Sequence, residues 1–313
     1  MSKHHTVIGD LILDRFIYGS ATRISAEAPT LVLDAHNRIE MLGGAYNVVA
    51  HLCSLDHKAI FISVASKDFK KILEDFQDKI HHNTEVFIYS EENRKTTIKT
   101  RLISEYKNSH LLRVDEETTD PIRQITENAL YYAMNDYALD ITKDIILVDY
   151  KKGVITEKLA SLIIKKANDK NIPVYVDTKR DNLDCFAGSS IIKPNKYEFE
   201  KIRLRYAPHK NMEEACFNIC KKLNIQKLVI TAGNEGIYAF DKTAGLIHCH
   251  AEKVEVKELS GAGDSVLAVL SYCLSEGYTF EQSVKLANRL AAKFISSGIQ
   301  YRVKKNDLME GTL

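Results

Sequence analysis

The sequence predicts an α/β fold in which a central, mostly parallel sheet carries a small antiparallel β sheet as a lid. Two observations lead to this prediction. From about residue 141 onward, short uncharged apolar runs alternate with amphipathic segments of helical period. Residues 28–41 and 86–115 instead alternate polar and apolar side chains. Such alternation is typical of strands that have one solvated face.

The central sheet is predicted from four apolar runs that are separated by helical patterns. The runs lie at 145–148, 174–176, 190–192 and 228–230, and the helical patterns lie at 156–168 and 211–223. Uncharged strands joined by helices of this length indicate βαβ crossovers and a parallel sheet covered on both faces.

The alternating segments predict a lid formed by inserts at about 15–41 and 86–115. Residues 86–114 contain six lysines and arginines against three glutamates, so this part of the lid is basic. The pattern leaves open whether the small sheet closes over a ligand or pairs with a second copy. Because no Pro/Gly/Ser-rich linker divides the chain, we expect one domain over residues 1–313.

Composition excludes several classes of protein. The 313 residues include 43 Lys+Arg and 42 Asp+Glu, and this balance argues against a nucleic-acid partner. No stretch approaches the ~18 uncharged apolar residues of a membrane span, and the N-terminus does not resemble a signal peptide. The six cysteines form no CxxC pair and are predicted to be reduced thiols. We therefore expect a cytoplasmic protein with small-molecule partners.

The strongest chemical signal is the run LSGAGDS at 259–265, which leads directly into an apolar helical pattern. The small residues Gly261, Ala262 and Gly263 would let backbone amides at a helix N-terminus approach an anion. Asp264 then falls in the first helical turn, where a carboxylate could accept a proton during phosphoryl transfer. A tight turn followed by a favourable N-terminal acid explains the same residues, and both readings stay open.

Two further signals suggest a site for hydroxyl groups. Gly43 and Gly44 precede a helix whose first turn carries Asn47, which fits either close ligand approach or a simple turn. Asp10 and Asp14 end the first predicted strand. Carboxylates at that edge of the sheet would suit the paired hydroxyls of a sugar, or they could merely be solvated.

Other polar residues follow the predicted strands at the same edge. Asn195 and Glu198 share one face of a helical turn, which fits either hydrated Mg²⁺ or a helix cap with a capping box. Asp149 with Lys152, and Lys179 after another strand, concentrate charge there and suggest a phosphorylated substrate.

A glycine-bearing turn at 231–236 could lie against a nucleotide or be only a turn. The sequence contains no Walker A loop, GxGxxG fingerprint or protein-kinase HRD loop. Its histidine and cysteine clusters lack a four-ligand zinc spacing. The nucleotide-binding motifs of those large families are thereby excluded.

Together these residues resemble the ribokinase-like (pfkB) carbohydrate kinases over nearly the whole chain, from Gly9 to Asn288. The resemblance implies a ribokinase-like three-layer sandwich and ATP-dependent phosphorylation of a sugar. The segments RISAEAP at 23–29 and TIKTR at 97–101 are similar to the subgroup that phosphorylates D-glycero-β-D-manno-heptose 7-phosphate at O1. That reaction belongs to ADP-heptose and lipopolysaccharide precursor synthesis.

The resemblance also implies residue roles. Asp264 would be the catalytic base, and Gly261, Ala262 and Gly263 the anion hole. Apart from residues for the substrate phosphate, the expected sugar-site residues are Asp14, Gly43, Gly44, Asn47, Asp149 and Lys179. The expected ATP-site residues are Asn195, Glu198, Thr231, Gly233, Gly236, Gly261, Gly263 and Asn288, with Glu198 holding Mg²⁺ through water. For the substrate phosphate, charge and subgroup similarity suggest some of Arg23, Lys99, Arg101, Arg113 and Lys152.

The sequence departs from the family pattern at some positions. Glu258 and Leu259 replace the usual Asp and small or β-branched residue, so the sequence does not decide whether a monovalent cation binds nearby. Tyr46 replaces an alanine of the family pattern. Many bacterial relatives carry a C-terminal nucleotidyltransferase domain that is absent here, so we expect a separate protein for the next step. We also expect a homodimer through the lid. Alternatives are a kinase of another sugar and a catalytically silent nucleotide-binding protein.

Overall fold

A computed structural model describes residues 4–69, 76, 80–106, 109–298 and 300–309 of the chain. Its strands are β1 (His4–Gly9), β2 (Leu11–Ile24), β3 (Leu31–Gly44), β4 (Ala59–Ser66), β5 (Thr84–Glu91), β6 (Thr97–Ser104), β7 (Ser109–Glu116), β8 (Thr142–Asp149), β9 (Val174–Thr178), β10 (Ile191–Ile192), β11 (Lys227–Thr231), β12 (Ile237–Asp241) and β13 (Gly245–Cys249). Its α-helices are α1 (Ala45–Ser54), α2 (Gln124–Tyr132), α3 (Glu157–Asp169), α4 (Lys196–Tyr206), α5 (Met212–Leu223), α6 (Ala262–Ser275), α7 (Phe280–Ser297) and α8 (Lys305–Met309).

Among the described residues, nine strands form a large sheet in the order β13-β12-β11-β10-β9-β8-β1-β4-β5. All neighbours from β11 to β5 are parallel, and β12 and β13 add an antiparallel edge. The four apolar runs of the sequence become β8, β9, β10 and β11, as predicted. The side chains of Thr156 and Asn211 cap α3 and α5, so both predicted helices begin at a side-chain cap.

The large sheet is buried on both faces. Alternate side chains of each strand point to opposite faces, so Ile8 and Leu147 belong to one hydrophobic cluster while Val7 and Ile146 belong to the other. The first cluster includes α3, and the second includes α1 and α6. This gives the three-layer arrangement that the sequence predicts. None of the described helices has both the length and the apolar character that spanning a bilayer requires.

The small sheet has the order β3-β2-β6-β7. Two antiparallel hairpins, β2–β3 and β6–β7, meet through a parallel pairing of β2 with β6. Residues 86–91, which the sequence assigns to the lid, belong instead to β5 at the edge of the large sheet. The prediction erred because an edge strand with one solvated face alternates like a lid strand. Lys107 and Asn108, between β6 and β7, lie outside the described residues.

The predicted first strand is interrupted at Asp10. Residues 4–9 form β1 of the large sheet, whereas β2 begins at Leu11 and enters the lid. Asp14 therefore lies on the lid and not at the end of β1. Because directly paired residues share a face, the register of β2 with β3 and β6 places Asp14, Met41 and Lys99 side by side on the inner face.

Candidate active site

A cavity of about 180 Å³ lies between the inner face of the lid and the N-terminal ends of α1 and α6. It opens beyond the carboxyl ends of the parallel strands, where ligands bind in open α/β sheets. Its lining residues are Ile12, Asp14, Met41, Gly44, Asn47, Lys99, Arg101, Tyr150, Ser260, Gly261, Asp264, Phe294 and Arg302. Seven of the predicted site residues are thereby brought together around one cavity.

Asp264 lies in the first turn of α6 and is 3% exposed. Its Oδ2 accepts a hydrogen bond from the Asn47 side chain at 3.0 Å, and its Oδ1 accepts one from the Tyr150 hydroxyl at 2.6 Å. Burial, together with the neighbouring charge of Asp177, raises the pKa of Asp264 to about 6. A carboxylate with such a pKa is ionised at neutral pH and is a better proton acceptor than an ordinary aspartate.

The N-terminal end of α6 is open to an anion. Gly261 adopts a φ of 90°, which favours glycine, and immediately precedes the helix. Lys193, at the end of β10, is 2% exposed and pairs with Asp177 at 2.8 Å. A Cβ on Gly263 would stand 3.2 Å from the Lys193 ammonium. A buried cation and the first backbone amides of a helix therefore meet at one point.

Asp177 and Glu198 are the carboxylates beside this point. Burial alone would raise the pKa of Asp177, but Lys193 and Lys179 hold it below its usual value. Its Oδ1 is buried and accepts no hydrogen bond from the described residues. Glu198 pairs with Lys179 at 2.8 Å and accepts from the backbone N–H of Asn195 at 2.8 Å. Asp177 thus retains one carboxylate oxygen, Oδ1, that accepts no hydrogen bond from the described residues.

Asn195 and Glu198 form the capping box that the sequence offered as one of two readings. Asn195 also bridges Thr231 across the sheet edge. The turn that contains Gly233 and Gly236 follows directly, and the side chain of Asn288 in α7 donates to the carbonyl of His250 at 2.7 Å. These predicted nucleotide-site residues thus lie at the edge of the sheet that carries α4, without lining the cavity.

The lid supplies the opposite wall of the cavity. Arg101 pairs with Asp14 at 2.7 Å, and a Cβ on Gly43 would come within 2.0 Å of the Asp14 carboxylate, so a side chain there would require that carboxylate to move. Burial lowers the pKa of Lys99, while Asp14 opposes this effect. Among the described residues, the Lys99 ammonium makes no ion pair, and it lies 5.7 Å from the centre of the Tyr150 ring. Arg302 completes the wall from the segment after α7.

Three of the residues predicted to hold the substrate phosphate are not part of the cavity wall. Arg23 lies at the far end of β2 in register with Val32, and Arg113 is exposed and pairs with Asp115. Lys152 pairs with Glu117 at 2.6 Å. The charge of a segment does not reveal which way each side chain points, and the role predicted for these three residues stays a prediction.

Asp149 and Asp10 are buried beneath the cavity. Asp149 accepts hydrogen bonds from Thr178 and Arg180 at 2.9 and 2.5 Å, which engages its carboxylate in the fold. Asp10 accepts from the backbone N–H groups of Tyr150, Lys152 and Val154. The sequence left open whether Asp10 lies beside a sugar or is solvated, and in the structure its oxygens hold the loop after β8.

Comparison with known proteins identifies the family to which this arrangement belongs. A profile described as pfkB family carbohydrate kinase matches residues 3–300. The chain belongs to the pfkB family of carbohydrate kinases. Similar curated proteins include the bifunctional protein HldE of Campylobacter jejuni subsp. jejuni serotype O:6, which is 35% identical over 292 residues, covering 93% of this chain and 60% of that protein. HldE of Bradyrhizobium diazoefficiens is 32% identical over 293 residues, covering 92% and 58%. The chain thus spans about 60% of the length of these relatives.

Solved structures of a phosphofructokinase and a ribokinase share the architecture. Phosphofructokinase-2 from Escherichia coli, in complex with potassium, superposes with a TM-score of 0.80 at 17% identity, covering 99% of this chain and 98% of that one. Ribokinase from Arabidopsis thaliana, complexed with ribose and ATP, gives a TM-score of 0.75 at 15% identity, covering 99% and 98%. The predicted ribokinase-like fold is confirmed.

Three residues at the site were missed by sequence reasoning. Lys193 follows a two-residue strand and shows no pattern of its own, although it directly precedes Pro194 and Asn195. Tyr150 falls inside the predicted charged segment after β8, but its hydroxyl partner lies 114 residues away. Arg302 comes from a segment without regular structure. Only the position of Tyr150 between Asp149 and Lys152, in the predicted charged segment, could have signalled its role.

Proposed function

We propose that the chain transfers the γ-phosphoryl group of ATP to the anomeric O1 of D-glycero-β-D-manno-heptose 7-phosphate, giving the 1,7-bisphosphate. The observation that carries this proposal is the cavity itself, where the buried carboxylate of Asp264 faces a lid wall with the cations Lys99 and Arg101. Family membership and the similarity of the lid segments to the heptose-phosphate subgroup support the same substrate class.

The chemistry follows from the positions of the charges. Asp264 accepts the proton of the sugar hydroxyl as its oxygen attacks the γ-phosphorus, and the bond from the γ-phosphorus to the bridging oxygen of ADP breaks. The amides that begin α6, together with the Lys193 ammonium, stabilise the charge on the transferring group. A positioned base of this kind contributes ~10²–10⁴-fold to the rate.

The cationic wall favours a phosphorylated sugar over a neutral one. Arg101 is engaged by Asp14, whereas Lys99 makes no ion pair among the described residues and is available for a phosphate. Burial lowers the pKa of Arg302, while Asp264 opposes this effect. A dianionic phosphate restores charge balance to these side chains and receives charge-assisted hydrogen bonds.

The residues present fit Mg²⁺-ATP. Mg²⁺ keeps several waters and takes one or two carboxylates together with phosphate oxygens. Glu198 and Asp177, whose Oδ1 accepts no hydrogen bond from the described residues, are suitable carboxylates, and no cluster of three ligands occurs among the described residues. When bound, Mg²⁺ neutralises charge on the phosphates. Asn195, Thr231, Gly233, Gly236 and Asn288 would then border the nucleotide.

We also propose that two copies pair through the outer face of the lid. Ile17, Leu102 and Leu112 stand in direct cross-strand register on that face, and Leu112 is 57% exposed. Ile17 and Leu102 are half-buried beside the exposed Leu112, and an apolar row that reaches the surface is typical of an interaction surface. Sedimentation should therefore detect a dimer that Leu112→Glu converts to a monomer. A monomeric wild type at micromolar concentration would contradict this assembly.

The product would be a precursor for ADP-heptose and lipopolysaccharide synthesis, in which a nucleotidyltransferase acts after this kinase. We place the reaction in the cytoplasm, where the six free thiols remain reduced.

A substrate panel tests the proposal. ADP release should be fastest with heptose 7-phosphate and slower with fructose 6-phosphate, ribose and fructose. Lys99→Ala should raise KM for heptose 7-phosphate by about tenfold or more, because a charge-assisted hydrogen bond to phosphate is lost. Lys95→Ala, an exposed lysine four residues earlier, should leave KM within about twofold. Faster ADP release with another sugar would show that heptose 7-phosphate is not the preferred substrate. No turnover with any sugar would favour a silent nucleotide-binding protein.

A further inference from the structure

We infer that Tyr150 is a positioning residue whose hydroxyl aims the Asp264 carboxylate at the acceptor hydroxyl of the sugar. This inference rests on the proposed role of Asp264 as the base. Tyr150 lies directly after β8 and lines the cavity together with Asp264 and Asn47. The family comparison assigns no role to this side chain.

Each oxygen of the Asp264 carboxylate accepts a hydrogen bond from a different side chain. The Tyr150 hydroxyl donates to Oδ1 at 2.6 Å, and the Asn47 amide donates to Oδ2 at 3.0 Å. An ionised carboxylate has about four lone-pair sites, so two remain after these bonds. With one donor from α1 and one from the loop after β8, rotation of the carboxylate about its Cβ–Cγ bond would break both bonds.

The backbone of Tyr150 is itself fixed from below. Its N–H donates to Oδ2 of Asp10 at 2.7 Å, and the same carboxylate accepts from the N–H groups of Lys152 and Val154. Arg94 donates to the carbonyl of Lys152 at 2.9 Å. The loop therefore has no freedom to carry the hydroxyl away from Asp264 without breaking several buried hydrogen bonds.

The aromatic ring of Tyr150 lies near two lysine ammonium groups, one from the lid and one from the large sheet. The Lys99 ammonium of the lid lies 5.7 Å from the ring centre, and the Lys179 ammonium at the end of β9 lies 5.4 Å from it. Both distances fall within the range of cation–π contact. Phenylalanine would preserve these contacts, so Tyr150→Phe removes the hydroxyl alone.

The hydroxyl also affects the protonation of Asp264. The groups that face this carboxylate are Tyr150, Asn47, Asp177, Lys179, Lys193 and Arg302. Burial and the charge of Asp177 raise the pKa of Asp264, whereas the hydrogen bonds from Tyr150 and Asn47 lower it. Loss of the hydroxyl should therefore move this pKa further upward.

The test uses Tyr150→Phe in the full chain, with both a kinetic and a spectroscopic readout. We expect kcat to fall by about tenfold to a hundredfold because the base is no longer aimed. The acidic limb of kcat/KM should move upward by about one pH unit. The matched control is Tyr206→Phe, whose hydroxyl donates to Asn182 and Asp184 outside the cavity. It should leave both quantities unchanged.

Carbon-13 NMR of the aspartate carboxyl groups gives a readout that needs no substrate. The Asp264 resonance, identified by its loss in Asp264→Asn, should titrate about one pH unit higher in Tyr150→Phe. A folded Tyr150→Phe with unchanged kcat and an unchanged Asp264 titration would overturn the inference. Absence of sugar turnover in wild type would instead refute the proposed function and leave this titration measurable.

A second labelling scheme keeps the inference testable if Tyr150→Phe does not fold. In wild type labelled at the tyrosine Cζ, one resonance should shift with the same midpoint as the Asp264 carboxyl. Asp264→Asn should abolish that step. A wild-type spectrum in which no tyrosine follows the Asp264 titration would overturn the inference.

Discussion

Asp264 and Asp10 are two buried aspartates at the same edge of the large sheet, and both have a pKa raised to about 6. Burial is the main cause in each case, with a second carboxylate nearby. Their hydrogen-bond partners differ. Asp264 accepts from two side chains and lines the cavity, whereas Asp10 accepts from three backbone amides of one loop. A perturbed pKa therefore does not distinguish a base from a structural carboxylate, but the partners do.

The largest expected effect is on turnover. Asp264→Asn should lower kcat by roughly 10²–10⁴-fold, because an amide cannot accept the proton. Asp10→Asn should lower kcat by about tenfold, because it disturbs the loop that carries Tyr150 but leaves the base in place. Single-turnover rates at saturating ATP and sugar phosphate measure both. Equal losses in the two folded variants would erase the distinction between the two aspartates.

A smaller effect, which differs in size between the two variants, is expected on the free energy of unfolding. Asp264→Asn should raise the free energy of unfolding at pH 7 by about 2–3 kcal/mol, because it removes a buried charge whose pKa lies about two units above normal. Asp10→Asn should raise it by about 1–2 kcal/mol less than Asp264→Asn does, because its amide cannot accept from all three backbone N–H groups. Urea denaturation measures both values.

The raised pKa values also predict how the free energy of unfolding changes with pH. For both aspartates the folded-state pKa of about 6 exceeds the ordinary 3.8. Between these pH values the folded protein binds more protons than the unfolded chain, so their contribution to stability is lost as pH rises from about 4 to 7. Asp264→Asn should make this decline shallower. An equally steep decline in that variant would contradict the raised pKa.

Much of the fold follows from local patterns in the sequence. Uncharged runs at 145–148 and 228–230 become parallel strands, and Thr156 and Asn211 cap the helices that the periodicity predicts. The error at 86–91 arises because alternation reports one solvated face and not the sheet to which a strand belongs. Strand register, which decides the sheet, depends on partners distant in sequence.

The site was predictable where one short segment carries both the backbone geometry and the reactive group. Gly261 and Asp264 satisfy this condition, since a helix N-terminus and its first turn are contiguous. Lys193 and Arg302 do not, because each reaches the site from a segment that has no functional pattern of its own. Of the cations predicted to hold the substrate phosphate, Lys99 and Arg101 line the cavity and Arg113 does not.

Phosphorus-31 NMR of the reaction mixture tests the central claim most directly. With ATP, Mg²⁺ and D-glycero-β-D-manno-heptose 7-phosphate, wild type should produce ADP and a new phosphate resonance coupled to the anomeric proton of the sugar. Asp264→Asn should not produce this resonance at a comparable rate. A new phosphate on another carbon, or release of inorganic phosphate alone, would contradict transfer to O1.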